Sequence, residues 1–493
     1  MSFYRPYLLI LVSLVLIIAG RTAHHKKASE AFRPHIVFIL ADDMGYGDLK
    51  AYNPQSKIAT PYLNQLASEG MIFTDAHSGG STCKPSRYAL FTGRFSARKQ
   101  RITDKEGPIL EKGRATIASL LRNNNYQTAM VGKWHLGFDQ KGLATGIEID
   151  GFAFDFDQPL TGGPVDRGFE SLFGMHASLD IPPYFYIKNR TPTMAPTETI
   201  GDRDSVGGPE DWTRIQGEFW RGGAVAPDFK HIEVTPRFAD EASKVIESRD
   251  ADRQLFLYLA LPSPHTPWLP SKEFVGKSSA GMYGDFVMQV DSVIGQIMAS
   301  LETAGISDNT LIIFTSDNGP VWYDKDTDRF GHRSTGPLSG AKGSAWEGGH
   351  RMPFIARWPD RIEAGSQADQ TISFVDVFAT FADLAGQKQT TEGTAEDSVS
   401  FLPVLLNSTG KHEPRPPILH SNRVIREGDW KLIDTKRNRG FTSDRSKNYP
   451  LELFNLAEDL SEANNLIEEM PEKAKYLRVK MKQILDEWAR SVN

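Results

Sequence analysis

The sequence predicts an α/β fold: a mostly parallel central sheet sandwiched by helices, followed by a smaller C-terminal α+β subdomain containing an antiparallel sheet. Three observations predict it. Four apolar runs of strand length show no polar alternation, as expected of strands buried on both faces of a parallel sheet. Segments of helical period lie between them, the alternation that builds such a sheet. Beyond residue 386 the pattern turns to short alternating strands and one terminal amphipathic helix.

The first run, HIVFILADD, follows Pro34 and ends in Asp42 and Asp43. A helical segment follows at Thr60 to Gly70, and Cys83 to Arg94 reads as a polar loop opening a helix. The helix predicted over Thr116 to Asn125 leads into the second run, YQTAMVG, at Tyr126 to Gly132. Ile147 to Asp228 is rich in Gly, Pro and Asp and weak in periodicity, which predicts long loops and short elements over the substrate side. The third and fourth runs, Gln254 to Leu261 and Asn309 to Gly319, follow helical segments at Pro236 to Ser248 and Gly284 to Gly305. After SFVDVFATFADLAG the chain is polar from Gln387 to Ser398; then PPILHSNRVIREGDWKLID and YPLELFNL alternate as antiparallel strands do, and a helix closes the chain. The organisation expected is a leader over residues 1–23, a large domain over 34–386 and a subdomain over 387–493, with no internal repeat.

Arg5 followed by the apolar stretch Tyr7 to Gly20 has the layout of an export signal, and is shorter than the ~20 residues a membrane span requires. The alternative to cleavage is an uncleaved N-terminal anchor; no later stretch is long enough to span, and no stable membrane partner is expected. A balance of 56 basic against 62 acidic residues argues against a nucleic-acid surface, so an anionic substrate would be gripped by a few local cations. Cys83 is the only cysteine, so no internal disulfide exists. An exported chain without disulfides fits a bacterial periplasm or exterior better than an animal secretory route. The sequons at Asn189 and Asn407 would matter only in a eukaryote.

Ligand crevices form at the carboxyl edge of parallel strands. Here that edge collects Asp42 and Asp43, then Lys133 and His135 from GKWHLG, His265 from PSPHTP, and Asp317 and Asn318. Two adjacent carboxylates repel by about 4 kcal/mol at ~4 Å and an effective dielectric of 20. A divalent cation relieves this, and the oxygen donors Asp42, Asp43, Asp317 and Asn318 favour Ca²⁺ or Mg²⁺ over zinc. Either motif alone reads as a turn or a helix cap; ending two buried strands, they read together as a metal site.

CKPSRYALFTGR, Cys83 to Arg94, matches the sulfatase signature C-x-P-S-R-x-x-x-L/F-T-G-R. The blocks FILADDMGYGD, GKWHLG, PHTP, SDNG, GAKGSAWEGGHRMPFIARWP and LFNLAEDLSEANNL follow in family order. Through these motifs the chain resembles the type I, formylglycine-dependent sulfatases of the alkaline phosphatase superfamily over nearly its whole length after the leader. The resemblance implies that a separate formylglycine-generating enzyme oxidises Cys83 to an aldehyde, which then hydrates. One hydroxyl of the hydrate attacks sulfur and carries the sulfate covalently; the other loses its proton and expels it. A plain serine could perform only the first half.

The resemblance further implies that Asp42, Asp43, Asp317, Asn318 and the modified Cys83 hold calcium, with magnesium as the alternative. Asp317 would take the nucleophile's proton, and Arg87, one helical turn beyond Cys83, would hold the formylglycine. Lys133 and His135 match the pair that binds sulfate and the second hydroxyl, with His135 as the base for elimination. Alternation in an extended segment would put those two on one side. His265 and Lys342 match the pair on the leaving-group side. His77, His176, His332 and His350 receive no catalytic role, with contact to substrate left open. His35 and Met44 depart from the residues common in the family, at positions remote from the chemistry.

Two readings compete with a sulfatase: a phosphodiester or phosphonate monoester hydrolase of the same superfamily, and an exported sulfoglycan-binding protein that is never modified. The expected substrate is a sulfated carbohydrate, an oligosaccharide derived from a polysaccharide. That expectation rests on export, an anion-gripping pocket, and aromatic residues in DIPPYFYIKN, EDWTRIQGEFWRGG and GPVWYDKDTDRFGHR whose faces suit stacking on sugar rings, although loop aromatics also serve as ordinary packing residues.

Overall fold

The computed structural model describes residues 33–99, 102–103, 107–139, 156, 158–204, 212–213, 215–387, 393–406, 414–434 and 451–490. The expected leader and Asn407 lie outside the described residues. Among the described residues, no helix is long and apolar enough to cross a membrane.

A ten-stranded mixed sheet forms the centre. Its middle consists of five parallel strands: β1 (His35–Asp42), β2 (Tyr126–Lys133), β3 (Ser171–Met175), β4 (Gln254–Pro264) and β5 (Thr310–Ser316). They lie in the order β5-β1-β4-β2-β3. Antiparallel pairing begins outside them, with Phe354–Arg357 beside β5 and Ile187–Lys188 beside β3. Every residue of β1 and β5 is buried, which is why their sequences show no alternation.

Helices cover both faces. Pro61–Ser68 (α1), Val234–Glu247 (α4) and Gly281–Thr303 (α5) pack together on one face; Cys83–Thr92 (α2), Ile117–Asn123 (α3) and Asp376–Leu384 (α6) pack together on the other. Phe381 of α6 meets Phe38 of β1 and Phe256 of β4 edge-on. Strand β3 falls inside the stretch read as loops and short elements. It has five residues, one of them Gly174, too short for a periodic signal, yet it extends the parallel sheet.

The C-terminal part forms a separate four-stranded antiparallel sheet in sequential order: Ile418–Ser421, Val424–Glu427, Trp430–Ile433 and Glu452–Asn455. Leu419, Ile425, Leu432 and Leu453 pack under Ala474, Leu477 and Met481 of the last helix, Pro471–Arg490 (α7). A buried polar network joins this sheet to the rest. Arg426 grips Asp75 with two bonds of 2.7 and 2.6 Å, and Lys431 lies 2.9 Å from Glu347 and 2.8 Å from Glu462. His77 and His350 meet through their Nδ1 atoms at 3.0 Å, and His350 stacks on His420. These histidines, unassigned from sequence, serve the junction.

Burial holds several imidazoles neutral: His35 and His231 are pushed down to about 4, and His77, His135, His350 and His420 also fall. Burial raises four carboxyls in the opposite sense, Asp291 and Asp317 to about 6, Glu462 to about 7, and Asp326 as well. As pH falls from 6.5 to 4.5 the unfolded chain protonates the six histidines, while the folded chain takes up protons on four carboxyls; six against four leaves the unfolded state binding more. The histidines' contribution is therefore complete above pH 7 and on acidification its loss outweighs the carboxyls' opposite one, so net stability falls by about 1.4 kcal/mol per pH unit for each uncompensated proton. Urea midpoints at pH 7.5 and 5.5 check this, the lower pH giving the lower midpoint.

Candidate active site

The carboxyl ends of β1, β2, β4 and β5 converge on the N-terminus of α2, and two local distortions aim the side chains. Pairing of β1 with β4 slips between Leu40 and Asp42, and Asp43 then takes φ 64°. In a continuous strand Asp42 and Asp43 would face opposite sides. The left-handed residue turns the second carboxylate back toward the first; aspartate tolerates that conformation better than most residues. At the end of β2, His135 has φ 58°. Lys133 and His135 are thus neighbours through a left-handed turn, where simple alternation in an extended segment was expected. Just before it, Gly132 lets β2 and β4 approach: a Cβ there would lie 1.9 Å from the Ala260 carbonyl oxygen.

Cys83 is the first residue of α2, buried, with its Sγ 3.4 Å from Asp42 Oδ1, 3.5 Å from Lys133 Nζ and 3.8 Å from Lys342 Nζ. Lys133 bonds Asp42, and Lys342 Nζ reaches both oxygens of Asp43 at 2.6 and 2.7 Å. Arg87, one turn along α2 and fully buried, donates from Nε to Asp317 Oδ2 at 3.0 Å and from Nη1 to the Lys133 carbonyl at 2.9 Å. Asn318 donates to Asp43 Oδ1 at 2.6 Å, while its own Oδ1 is buried with no hydrogen-bond partner among the described residues. His265 sits between two cis prolyl bonds, Nε2 3.6 Å from Asp43 Oδ2 and Nδ1 donating to Thr266 O at 2.6 Å. His135 Nδ1 is likewise buried without a partner. All ten residues singled out from sequence therefore lie in or against one pocket.

Its electrostatics are balanced pair by pair. Burial disfavours the Asp42 carboxylate, but Lys133, His265, Arg87 and Lys342 together pull it well below the usual range. Burial and the neighbouring Asp42 raise Asp317 to about 6. Burial, then Asp317 and Asp42, push the Cys83 thiol well up. His135 is driven far down by burial and by Lys133.

Two further residues reach this pocket without any sequence signal. Asp180 lies in the turn after β3, its Oδ1 4.0 Å from His265 Nδ1, and Arg221 bonds its other oxygen. The aromatic stretches mostly pack the interior: Tyr184, Phe185, Tyr186, Trp212, Phe219 and Trp322 are buried, while Trp220 and Tyr323 are half-buried. His176 bonds Pro183 O at 2.8 Å, and His332 bonds Asp48 at 2.9 Å.

The Sulfatase family model matches residues 34–387. An N-acetylgalactosamine-6-O-sulfatase of Bacteroides thetaiotaomicron is 32% identical over 491 residues, covering 90% of this chain and 92% of that protein. The N-acetylgalactosamine-6-sulfatase of Mus musculus is 31% identical over 436 residues, covering 85% of this chain and 73% of the relative. Among solved structures, a B. thetaiotaomicron sulfatase described with the metabolism of multiple glycosaminoglycans superposes with a TM-score of 0.77 at 30% identity, covering 92% of this chain and 99% of that one. With the family pattern matched across the chain and over the pocket, the protein belongs to the sulfatase family and is a sulfuric ester hydrolase.

Proposed function

We propose that this enzyme removes sulfate from a sulfated carbohydrate, of the class that includes 6-sulfated N-acetylgalactosamine, using a formylglycine made from Cys83. One observation carries the reading: the only cysteine of the chain heads a helix at the strand edge, between two ammonium groups and a carboxylate. The helix N-terminus favours an anion there. The relatives named above bear N-acetylgalactosamine sulfatase names, which supports the sugar class.

Calcium is the cofactor this reading implies, and the residues fit it. Asp42, Asp43 and Asp317 offer hard carboxylate oxygens, and Asn318 Oδ1 is a buried acceptor with no donor among the described residues. When bound, the ion supplies positive charge and Lewis acidity at the sulfate and lowers the nucleophile's pKa. The chain's own groups do the rest. Arg87, anchored on Asp317 and on the Lys133 carbonyl, fixes the modified residue from the side of α2. Lys133 holds a sulfate oxygen. Asp317 accepts the proton of the attacking hydroxyl, and His135 Nδ1 later takes the proton of the second hydroxyl, which frees sulfate. His265 Nδ1 is fixed on Thr266 O, so Nε2 faces the pocket; with Lys342 it protonates the departing alkoxide. Maturation requires a formylglycine-generating enzyme, and the leader suggests export to a bacterial periplasm or medium.

The test compares converted protein on a sulfated sugar and on the isosteric phosphate ester. A higher kcat/KM for the sulfate is the expected result; preference for the phosphate would favour a phosphoryl hydrolase. Mass spectrometry of the peptide containing residue 83 establishes conversion, because an aldehyde side chain is lighter than the thiol it replaces.

A further inference from the structure

We infer that Asp180, held by Arg221, is a substrate-specificity residue that accepts a hydrogen bond from a ring hydroxyl of the sugar carrying the sulfate; the inference rests on the carbohydrate sulfatase reading above. The side chain is placed by the sheet. Strand β3 runs parallel to β2, and its carboxyl end continues along the pocket rim, fixed by Trp134 N to Met175 O at 3.0 Å and His135 N to His176 O at 2.9 Å. The next turn, closed by Ile181 N to Ser178 O at 3.1 Å, aims Asp180 at His265. Arg221 fastens that turn, donating to the Asp180 carbonyl from its backbone N–H at 3.3 Å and from Nη1 at 3.1 Å, and to Oδ2.

Oδ1 is the unexplained atom. It is buried in a residue only 6% exposed and accepts no hydrogen bond among the described residues. The neighbouring imidazole does not satisfy it, because His265 Nδ1 is 4.0 Å away and spends its hydrogen on Thr266 O. A buried carboxylate oxygen without a donor is unfavourable and is found where a ligand or water supplies the donor. The site lies beside the histidine on the leaving-group side, where the sugar ring would stand. A neutral, hydroxyl-bearing ring brings the donor that is missing, and an aryl leaving group brings none. The half-exposed Arg221 orients the carboxylate through its bond to Oδ2.

The experiment is a cycle between protein and substrate. Converted, calcium-loaded wild type and Asp180→Ala are assayed on N-acetylgalactosamine 6-sulfate and on its 3-deoxy and 4-deoxy analogues. In wild type at least one analogue should lose about 10²-fold in kcat/KM, because the site is then left with its polar group unpaired. In Asp180→Ala the same ratio should shrink to within about 3-fold, even if absolute rates drop. Asp180→Leu, of similar size and without an acceptor, replaces the alanine variant if that chain fails to fold. A ratio unchanged by substitution would mean that Asp180 acts only through packing or through His265, and would overturn the inference. A 4-nitrophenyl sulfate assay separates the two layers: wild type that cleaves it yet ignores every hydroxyl deletion sinks the specificity role and leaves sulfatase activity standing. Converted protein that cleaves no sulfate ester sinks both.

Discussion

Cys83→Ala protein, folded and calcium-loaded, turns over sulfate esters at least ~10⁵-fold more slowly than converted wild type, as loss of a covalent nucleophile does elsewhere. Among the described residues the pocket has no substitute. Asp42, Asp43 and Asp317 are each committed to a cation, and Ser86 Oγ, on the same helix, is buried without a partner but three residues off the helix N-terminus. Cys83→Ser separates the two halves of the chemistry. Its single hydroxyl occupies the position of Sγ, between Lys133 and Lys342, and can be esterified; no geminal hydroxyl is then available to expel the sulfate. Intact-mass measurement after incubation with substrate should find a chain carrying one covalent sulfate, released slowly or not at all. Retention of more than about 1% of wild-type kcat/KM by the alanine variant would place the nucleophile on another residue.

The parts of this molecule that were legible in the sequence are those whose signal is local. The strands β1, β2, β4 and β5 are buried on both faces, so hydrophobicity alone marked them. The residues at their ends followed from the rule that ligands gather at carboxyl edges. Strand β3 was lost because its five residues carry no period and its partner is fixed only in three dimensions. How Asp42 and Asp43 share a pocket was also illegible, since the slip of β1 against β4 and the left-handed Asp43 arise from pairing with a strand more than 200 residues away. The same holds for Asp180, whose meaning depends on His265 standing beside it. The loop aromatics were open to two readings for a related reason: composition cannot tell a ring that lines a crevice from one that closes the core beneath it, and most of these close the core.

Chelating calcium from the converted enzyme should abolish binding of inorganic sulfate along with turnover, and adding the ion back should restore both. The reason is the charge balance of the pocket. Asp42 faces Lys133, Asp43 faces Lys342 and Asp317 faces Arg87, so three buried carboxylates meet three buried cations and the protein alone offers no net positive charge. A sulfate entering such a pocket gives up its hydration and meets as much repulsion as attraction. Two additional positive charges change the sign, each worth about 4 kcal/mol against a unit negative charge at ~4 Å and an effective dielectric of 20. Even a small part of this corresponds to a sulfate Kd weakened by about 10²-fold or more on chelation, which titration calorimetry reads without any reference to activity. Scanning calorimetry offers a second reading, because an ion at 100 times its Kd stabilises the folded state by about 2.7 kcal/mol. If sulfate bound equally well after chelation, Lys133, Lys342 and Arg87 would have to serve the anion and the carboxylates at once, and the oxygen cluster with its unpartnered Asn318 Oδ1 would need a different explanation.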